Sequence, residues 1–467
     1  MSCVSVYDLN LEAVLAPYAG LARLYDRALE GRKRVGLNHA ADTPDPDYAG
    51  QHLYRRNFAG FECECESPRY FPCTTNAGCI YGFQCEAGRC ARAPSVYWLP
   101  VWPDGLFYAA STWLSTAERG VRRGDDAARR KLAAAEAAWR ELSGRGGKPD
   151  RRALATLPYD LVLRWLFAQP EWRAAPSQHA FYFEMTNVVR RHLLGPKLLS
   201  GGVTLLAVEE RISHPAPART VVVPYYVNRK MWWTPPRPTL RKKRTPVAYA
   251  GRAAVHCKLD AELCAAYNGS AVRAAILTAL PKLGGAAVAP SHFSGAPLKA
   301  GIKADVLDSY RKAKFCMVPM GDVYSSKRLY STIMALCLPI IASDRLPLPF
   351  ASEVPWADFA LRISEEALLC DAAAAIGAAI KKVDATPGRL DGMQRALVRE
   401  RGRFLFTDAT EAPGAAERAA PAPPDETERE MHAMIIRQIE AQRNGADGSF
   451  LARDWLKEAG TRPARCE

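Results

Sequence analysis

The sequence lacks any uninterrupted apolar run of about 18 residues, and no signal peptide begins it. We therefore expect no membrane-spanning helix within this chain. It also lacks a recognised nucleic-acid-binding motif, although 63 Lys and Arg against 49 Asp and Glu give a net charge of +14. Most of this charge lies in short clusters typical of solvated faces, and a basic surface is compatible with an anionic membrane or with sugar and phosphate substrates. No nucleic-acid partner is predicted.

Cysteine is concentrated in one segment, because six of the 13 cysteines fall between residues 63 and 90. They are Cys63, Cys65, Cys73, Cys79, Cys85 and Cys90. Since this segment has few apolar residues, the density of thiols predicts a small module held together by disulfides, whose pairing the spacing leaves open. A zinc site is the alternative, although no histidine lies among these thiols. The sequon at 268–270 makes Asn268 a candidate glycosylation site.

The segment 310–350 has the pattern of a βαβ unit. A short apolar run from Phe315 to Pro319 is typical of a buried strand, and a second one runs from Leu338 to Ala342. Between them, apolar residues recur at helical spacing from 329 to 336. A strand, a helix and a strand within about 30 residues predict two parallel strands.

The polar loop between the first strand and the helix is the candidate site, because ligands bind outside the carboxyl ends of strands in such units. Ser325 or Ser326 is a suitable N-cap, and the free N–H groups and positive dipole of a helix start suit an anion. Arg328 in the first turn has a planar fork that can bind a diphosphate bidentately. The alternative is that the serines only cap the helix and that Arg328 is a solvated surface charge.

This segment resembles the signature of the exostosin family of glycosyltransferases (glycosyltransferase family 47). That signature runs roughly as FCL-x-P-x-GD-x-x-S-x-R-L, then a small residue, C-I-P-V-I, S-D and L-P-F. The matching residues are Phe315, Cys316, Pro319, Gly321, Asp322, Ser326, Arg328, Leu329, Cys337, Pro339, Ser343, Asp344, Leu348, Pro349 and Phe350. Leu336 departs from the signature, since many members carry glycine there, and we expect different packing at that helix end. The similarity is strong over 310–360 and thin over about 4–400.

The resemblance implies an α/β fold of the GT-B type, in which two Rossmann-like domains face a cleft, here with a small disulfide-rich, EGF-like insert. It implies inverting transfer of a sugar from a nucleotide-sugar donor, most simply a UDP-sugar, to a glycan or glycoprotein acceptor. No cofactor and no metal are expected, because protein cations and N–H groups can stabilise the departing diphosphate and no DxD-type pair stands out in the donor loop. Family members lie in the Golgi lumen behind an N-terminal membrane anchor, a segment that we expect to be absent from this chain.

Length and resemblance together predict a division into two domains with additional segments. The predicted boundaries are 1–224 for an N-terminal acceptor-side domain with the cysteine-rich module at 61–92, 225–245 for an interdomain linker, 246–408 for a C-terminal nucleotide-sugar-binding domain, 409–425 for an Ala/Pro-rich linker and 426–467 for a C-terminal helix and tail. The oligomeric state is left open.

The resemblance assigns donor binding to Gly251, Arg252, Gly321, Asp322, Ser325, Ser326, Arg328, Asp344 and Glu353. A glycine at 251 lets the backbone approach a phosphate closely, and Arg273 on the next helix is a further candidate. A simple turn at Gly251 and a helix-start carboxylate at Glu353 are the structural alternatives. The candidates for the catalytic base are His179, Glu209 and Glu210. A lone histidine in an aromatic run is more often structural, so His179 keeps that alternative.

Two other classes of function stay open. The chain is compatible with an inactive secretory binding protein, in which the cysteine-rich module makes the contacts and the rest of the fold is a relic. It is also compatible with a polyanion-binding protein attracted through the +14 charge, which salt-dependent heparin binding without nucleotide affinity would reveal.

Overall fold

The computed structural model describes residues 4–6, 9–24, 83–86, 89–92, 96–98, 103–144, 146–183, 201–207, 219–225, 243–251, 269–288, 306, 308–321, 325–344, 346, 348–404 and 434–442. Its strands are β1 (Val4–Val6), β2 (Phe83–Glu86), β3 (Arg89–Arg92), β4 (Val96–Trp98), β5 (His179–Phe183), β6 (Thr204–Ala207), β7 (Arg219–Val222), β8 (Thr245–Ala250), β9 (Ala286–Val288), β10 (Ala313–Pro319), β11 (Leu338–Ala342) and β12 (Leu361–Arg362). Its helices are α1 (Leu11–Val14), α2 (Pro103–Arg122), α3 (Asp126–Ser143), α4 (Arg151–Ala168), α5 (Pro170–Ala174), α6 (Gly269–Ala279), α7 (Lys327–Met334), α8 (Glu365–Asp384) and α9 (Arg389–Glu400). Residues 434–442 form a further helical segment. The predicted α/β class is confirmed.

The first five-stranded sheet has the order β1-β4-β5-β6-β7, and every neighbouring pair is parallel. Parallel strands require long crossovers, and α2, α3 and α4 lie in the crossover between β4 and β5. The apolar faces of these helices are buried, and Leu106, Leu114 and Leu166 are fully enclosed. The described residues before 225 therefore build one layered α/β unit.

A proline inside α4 is compensated from outside the helix. Pro158 has no N–H, so the carbonyl of Leu154, four residues earlier, loses its partner within the helix. The hydroxyl of the buried Tyr18 donates a hydrogen bond to that carbonyl at 2.6 Å. Burial, with Asp160 nearby, raises the pKa of Tyr18 well above its ordinary value and keeps the hydroxyl protonated. This contact fixes the segment after α1 on α4.

The second five-stranded sheet is also parallel and has the order β12-β11-β10-β8-β9. All of β11 and all of β10 except Lys314 are buried, which explains their almost continuous apolar sequence. The predicted strand–helix–strand unit is confirmed, because α7 begins after its N-cap Ser326 and connects the parallel strands β10 and β11. The residues after 243 therefore build the second α/β unit.

Leu336, which stands where many exostosins carry glycine, adopts a left-handed backbone conformation with φ of 53°. Its side chain is fully buried, so apolar packing is maintained at the expense of backbone strain in this turn. The carbonyls of Leu336 and Ala313 accept hydrogen bonds from the buried Lys243 Nζ at 2.6 and 2.8 Å. These bonds hold together the amino ends of β10 and β11.

The Leu336→Gly variant is expected to be more stable than the Leu336→Ala variant. At most buried positions the alanine variant is the more stable of the two. Both substitutions remove nearly the same packing, but only glycine relieves the left-handed strain, so Leu336→Gly should exceed Leu336→Ala in free energy of unfolding by about 1 kcal/mol. Ala335 has φ of −79° and provides the control, since Ala335→Gly should lower stability by roughly 0.5–1 kcal/mol. Urea unfolding measures all three, and a Leu336→Ala variant as stable as Leu336→Gly would contradict the strain.

A disulfide links β10 to the residue that precedes β11 in the second sheet. Cys316 of β10 is bonded to Cys337, the residue before β11, and both are fully buried. Cys370 on α8 is also disulfide-bonded. The sequence predicts cross-links in the segment 63–90, whereas nothing in it singled out the pair within the βαβ unit.

The predicted cysteine-rich module is described only in part. Cys63, Cys65, Cys73 and Cys79 lie outside the described residues. Cys85 and Cys90 occupy paired positions in the antiparallel hairpin of β2 and β3. The EGF-like character of this insert stays a prediction.

The helical segment 434–442 packs back on the body of the protein, and its Met434, Ile435 and Ile439 are buried. The side chain of Gln438 donates to Ser352 Oγ at 3.0 Å, and that of Gln442 donates to a carbonyl of the edge strand β7. The segment therefore contacts both α/β units. Within the described ranges, no helix combines the length and the apolar character that a bilayer crossing needs.

Candidate functional site

The second sheet has a topological switch point between β8 and β10. From β8 the chain first adds β9 on one side and then adds β10, β11 and β12 on the other. In open parallel sheets a crevice forms at such a point, outside the carboxyl ends of the strands, and ligands bind there. The two strands end at Ala250 and Pro319, so the candidate site lies beside these residues.

Arg328, in the first turn of α7, lies across this switch point. Its Nε donates to the carbonyl of Ala250 at 2.7 Å, and its Nη1 donates to the carbonyl of Pro319 at 3.3 Å. The guanidinium also lies over the ring of Tyr249, 5.1 Å from the centroid. The planar fork therefore joins the carboxyl ends of two neighbouring strands. Two nitrogens of Arg328 already bond protein carbonyls, so they are engaged within the protein. Bidentate binding of a diphosphate by Arg328 stays a prediction.

The absence of a side chain at Gly251 is needed for this arrangement. A Cβ atom there would clash with the hydroxyl of Tyr249 and would lie 2.7 Å from Arg328 Nη2. The hydroxyl of the buried Tyr310 also donates to the Ala250 carbonyl, at 3.4 Å. The carbonyl at the end of β8 therefore accepts from both Tyr310 and Arg328. Gly251 makes room for Tyr249 and Arg328, which is a different reason from the predicted close approach to a phosphate.

The loop before α7 is closed by a backbone hydrogen bond from the N–H of Gly321 to the carbonyl of Ser325, at 3.2 Å. Ser325 is buried, and its hydroxyl lies 3.1 Å from that of Tyr225. Ser326 Oγ accepts from the N–H of Arg328 at 3.3 Å and from its Nη1 at 3.0 Å. Ser326 is therefore the N-cap of α7, and the loop, the cap and the guanidinium are connected.

The first turn of α7 contains two cations, Lys327 and Arg328, and no acidic residue. Cations at this end oppose the helix dipole, which destabilises a helix by roughly 0.3–1 kcal/mol. An anion bound beside this turn would offset this repulsion. Lys327 is exposed, and the sequence analysis did not select it. The electrostatics of this turn therefore favour an anionic ligand.

Two further candidates have well-defined structural contacts. Arg273 is buried on α6 and donates through Nε and Nη2 to the carbonyl of Met320, at 3.2 and 2.7 Å. Asp344 accepts a hydrogen bond from Arg362 at 2.8 Å through Oδ1, and from the N–H of Glu365 at 3.3 Å through Oδ2. These contacts hold the carboxyl ends of β10 and β11 and the start of α8. Donor binding by Asp344 stays a prediction.

Glu353 is engaged by the C-terminal part of the chain. Its Oε2 accepts from Nε of Arg437, in the helical segment 434–442, at 3.0 Å. The backbone carbonyl of Glu353 also accepts from Arg403 at 3.3 Å. The ion pair favours a role in docking the C-terminal segment, and contact with a donor stays a prediction.

Ser343 precedes Asp344 at the carboxyl end of β11, and the sequence analysis did not select it as a ligand. Its side chain is fully buried, and among the described residues its Oγ has no hydrogen-bond partner. A buried hydroxyl without a partner is unfavourable by about 1–3 kcal/mol, so this hydroxyl is a candidate for contact with a bound ligand. Only its place in the S-D pair of the signature points to it in the sequence.

His179 lies at the wrong end of its strand for contact with the candidate site. It begins β5 and is fully buried, about 13 Å from the carboxyl end of that strand at a rise of about 3.3 Å per residue. Its Nδ1 lies 3.0 Å from the carbonyl of Ala175, and its ring contacts Tyr97 and Trp172 at centroid distances of 5.1 and 4.8 Å. This environment favours the structural alternative over general base catalysis.

The remaining candidates are Arg252, Asp322, Glu209, Glu210 and Asn268, which lie outside the described residues. Among the residues that the structure does describe, no three His, Cys, Asp or Glu side chains are grouped as metal ligands.

The chain matches a family model described as the Exostosin GT47 domain over residues 134–374, just over half of its length. A probable arabinosyltransferase of Arabidopsis thaliana is 39% identical over 57 residues, 12% of this chain and 13% of the relative. A probable glucuronosyltransferase of Oryza sativa subsp. japonica is 33% identical over 63 residues, 14% and 15% of the two chains. A probable beta-1,4-xylosyltransferase of Arabidopsis thaliana is 34% identical over 59 residues, 13% and 14%.

These relatives are matched over about one seventh of their length, whereas the family model covers far more of this chain. The model match contains β8, β10, α7 and β11, and therefore the complete switch point with Arg328 and Ser326. On the match over residues 134–374, this chain belongs to the exostosin GT47 family.

Proposed function

We propose that this protein is an inverting glycosyltransferase that transfers a sugar from a UDP-sugar to a glycan or glycoprotein acceptor. The observation that carries the proposal is the position of α7, whose N-terminus with Ser326, Lys327 and Arg328 lies at the switch point of a parallel sheet. The two cations and the positive end of the helix dipole there would stabilise the charge that develops on the departing diphosphate. Because the chain itself offers this positive charge, we propose that the transfer requires no metal and no cofactor.

We propose a GT-B-like arrangement in which two Rossmann-like domains face a cleft. One sheet is built from residues before 225 and the other from residues after 243, which supports the predicted division at 225–245. Tyr225, beyond the carboxyl end of β7, contacts Ser325, beyond the carboxyl end of β10. Residues from the same end of both sheets therefore meet beside α7.

A pentose or a uronic acid is the proposed transferred group. The similar plant proteins are named as probable arabinosyl-, glucuronosyl- and xylosyltransferases. We further propose the Golgi lumen as the location, since a buried disulfide such as Cys316–Cys337 requires an oxidising compartment and supports a protein of the secretory pathway.

Glu209 and Glu210 are the proposed candidates for the catalytic base. They follow the last residue of β6, Ala207, by two and three positions, on the carboxyl side of a strand in the first sheet. His179, in contrast, begins β5. We expect Glu209→Gln or Glu210→Gln to abolish turnover while UDP binding persists, because the base acts on the acceptor hydroxyl. Full turnover in both variants would exclude them.

The proposed function is tested with a thermal-shift panel of UDP, GDP and CMP on oxidised, folded protein. UDP is expected to raise the melting temperature by mass action. Release of UDP from UDP-arabinose, UDP-xylose and UDP-glucuronic acid then identifies the sugar. A protein that responds to no nucleotide would contradict the enzyme proposal and favour the inactive binding protein.

Ser343→Ala is expected to have opposite effects on stability and on binding. Removing a buried hydroxyl that has no partner among the described residues should leave the free energy of unfolding unchanged or raise it by up to about 1 kcal/mol. Losing a ligand contact, in contrast, should weaken UDP-sugar binding about tenfold. Thr204→Val is the matched control, because Thr204 Oγ1 is also buried without a partner among the described residues, but at the amino end of β6. An unchanged KM in Ser343→Ala would show that the hydroxyl does not contact the donor.

A further inference from the structure

Tyr225 and Ser325 form a contact between the two sheets of the protein. Tyr225 lies three residues beyond the carboxyl end of β7, and its hydroxyl is 3.1 Å from Ser325 Oγ. Its ring lies 5.9 Å from the ring of Tyr330 on α7, measured between centroids. The tyrosine therefore contacts both the loop and the helix of the candidate donor site, although it belongs to the other half of the chain.

Ser325 connects this contact to the rest of the site. Its carbonyl accepts the N–H of Gly321 at 3.2 Å and so closes the loop that follows β10. The next residue, Ser326, caps α7 and accepts from Arg328 Nη1 at 3.0 Å. A displacement of Ser325 would therefore move Gly321, the helix cap and the guanidinium together.

A contact that served stability alone would not need the tyrosine hydroxyl. The ring of Tyr225 packs against Tyr330 without it, and one hydrogen bond between two hydroxyl groups adds little to stability. A directional bond does, however, select one arrangement of the loop. When only a fraction of the molecules has the binding-competent arrangement, the apparent affinity for a ligand is reduced to that fraction of its intrinsic value.

We propose that Tyr225 is a positioning residue for nucleotide binding. It holds Ser325, and through it Gly321 and the N-terminus of α7, in the arrangement that accepts the diphosphate of a nucleoside diphosphate. The inference rests on the proposed function, because it takes α7 as the donor site. Since the tyrosine follows a strand of the first sheet and the serine follows a strand of the second, donor binding then depends on how the two sheets are placed relative to each other.

The experiment compares Tyr225→Phe, Ser325→Ala and the double variant by calorimetric titration with UDP. Each single variant is expected to raise the dissociation constant about five- to tenfold, as for the loss of one hydrogen bond, and the double variant no further than the larger single effect. Tyr18→Phe is the matched control, because it removes a tyrosine hydroxyl that bonds a carbonyl of α4 instead. That variant is expected to lose stability and to bind UDP with the wild-type dissociation constant.

The outcomes separate this inference from the proposed function. If Tyr225→Phe binds UDP as tightly as the wild type, Tyr225 does not position the loop, and the proposed function is unaffected. Additive effects in the double variant would show that the two hydroxyls act independently and would also overturn the inference. If the wild type binds none of UDP, GDP and CMP, the proposed function fails and the inference fails with it.

Discussion

Replacing Arg328 by lysine is expected to weaken UDP binding about tenfold or more and to lower kcat/KM about 100-fold. The lysine keeps the positive charge but loses the planar fork that bonds the carbonyls of Ala250 and Pro319 and Ser326 Oγ together. Without these bonds the ends of β8 and β10 and the cap of α7 are no longer fixed relative to one another. Calorimetric titration with UDP and the rate of UDP release measure the two effects.

Arg164→Lys is the matched control for this prediction. Arg164 is an exposed arginine on α4 whose Nη1 lies 3.2 Å from Glu141, and exposed ion pairs contribute about 0–1 kcal/mol. The same exchange there should leave UDP binding unchanged. An Arg328→Lys variant that binds UDP like the wild type would show that positive charge alone is sufficient at this position. The bonds from the guanidinium to the strand ends would then make no contribution to UDP binding.

Replacing Cys316 and Cys337 together by alanine is expected to lower the free energy of unfolding by about 3 kcal/mol, the chain-entropy contribution of a loop of this size. The disulfide closes a loop with a sequence separation of 21 residues. Because both side chains are fully buried between the inner strands, the truncation also leaves a cavity that adds to the loss. Urea unfolding under non-reducing conditions measures the difference.

Reduction of the wild type provides the control for the disulfide. A reductant present during unfolding should lower the stability of the wild type more than that of the double alanine variant, because only the wild type contains the Cys316–Cys337 bond. If the free energy of unfolding of the double variant lies within about 0.5 kcal/mol of the wild-type value, the unfolded chain gains little conformational freedom when the bond is absent.

The β10–α7–β11 unit could be predicted from the sequence because its signals are local. Two short apolar runs define the strands, and a serine three residues before a buried leucine marks the helix start at Ser326. The family signature falls on the same residues. The strand order, and with it the switch point, needs the pairing of β8 with β10, whose partners such as Thr245 and Ala313 are 68 residues apart in the chain. The sequence has no local signal for such a pairing.

The contacts of the site residues were not predictable for the same reason. Arg328 bonds a carbonyl 78 residues earlier in the chain, and Asp344 is paired with Arg362 and with the start of α8. For His179 the sequence indicated its aromatic surroundings, but only the parallel register of β5 with its neighbours shows that it lies at the amino end of the sheet. Residue types therefore identified the candidates, whereas long-range pairing decides which of them can meet a ligand.

The structure of the UDP complex is the most direct test of the donor site. We predict that the diphosphate lies within about 3 Å of backbone N–H groups in the first turn of α7, beside the switch point between β8 and β10. Lys327 is then expected to reach the phosphate oxygens. A diphosphate bound away from α7, or at the amino ends of the strands, would contradict the account.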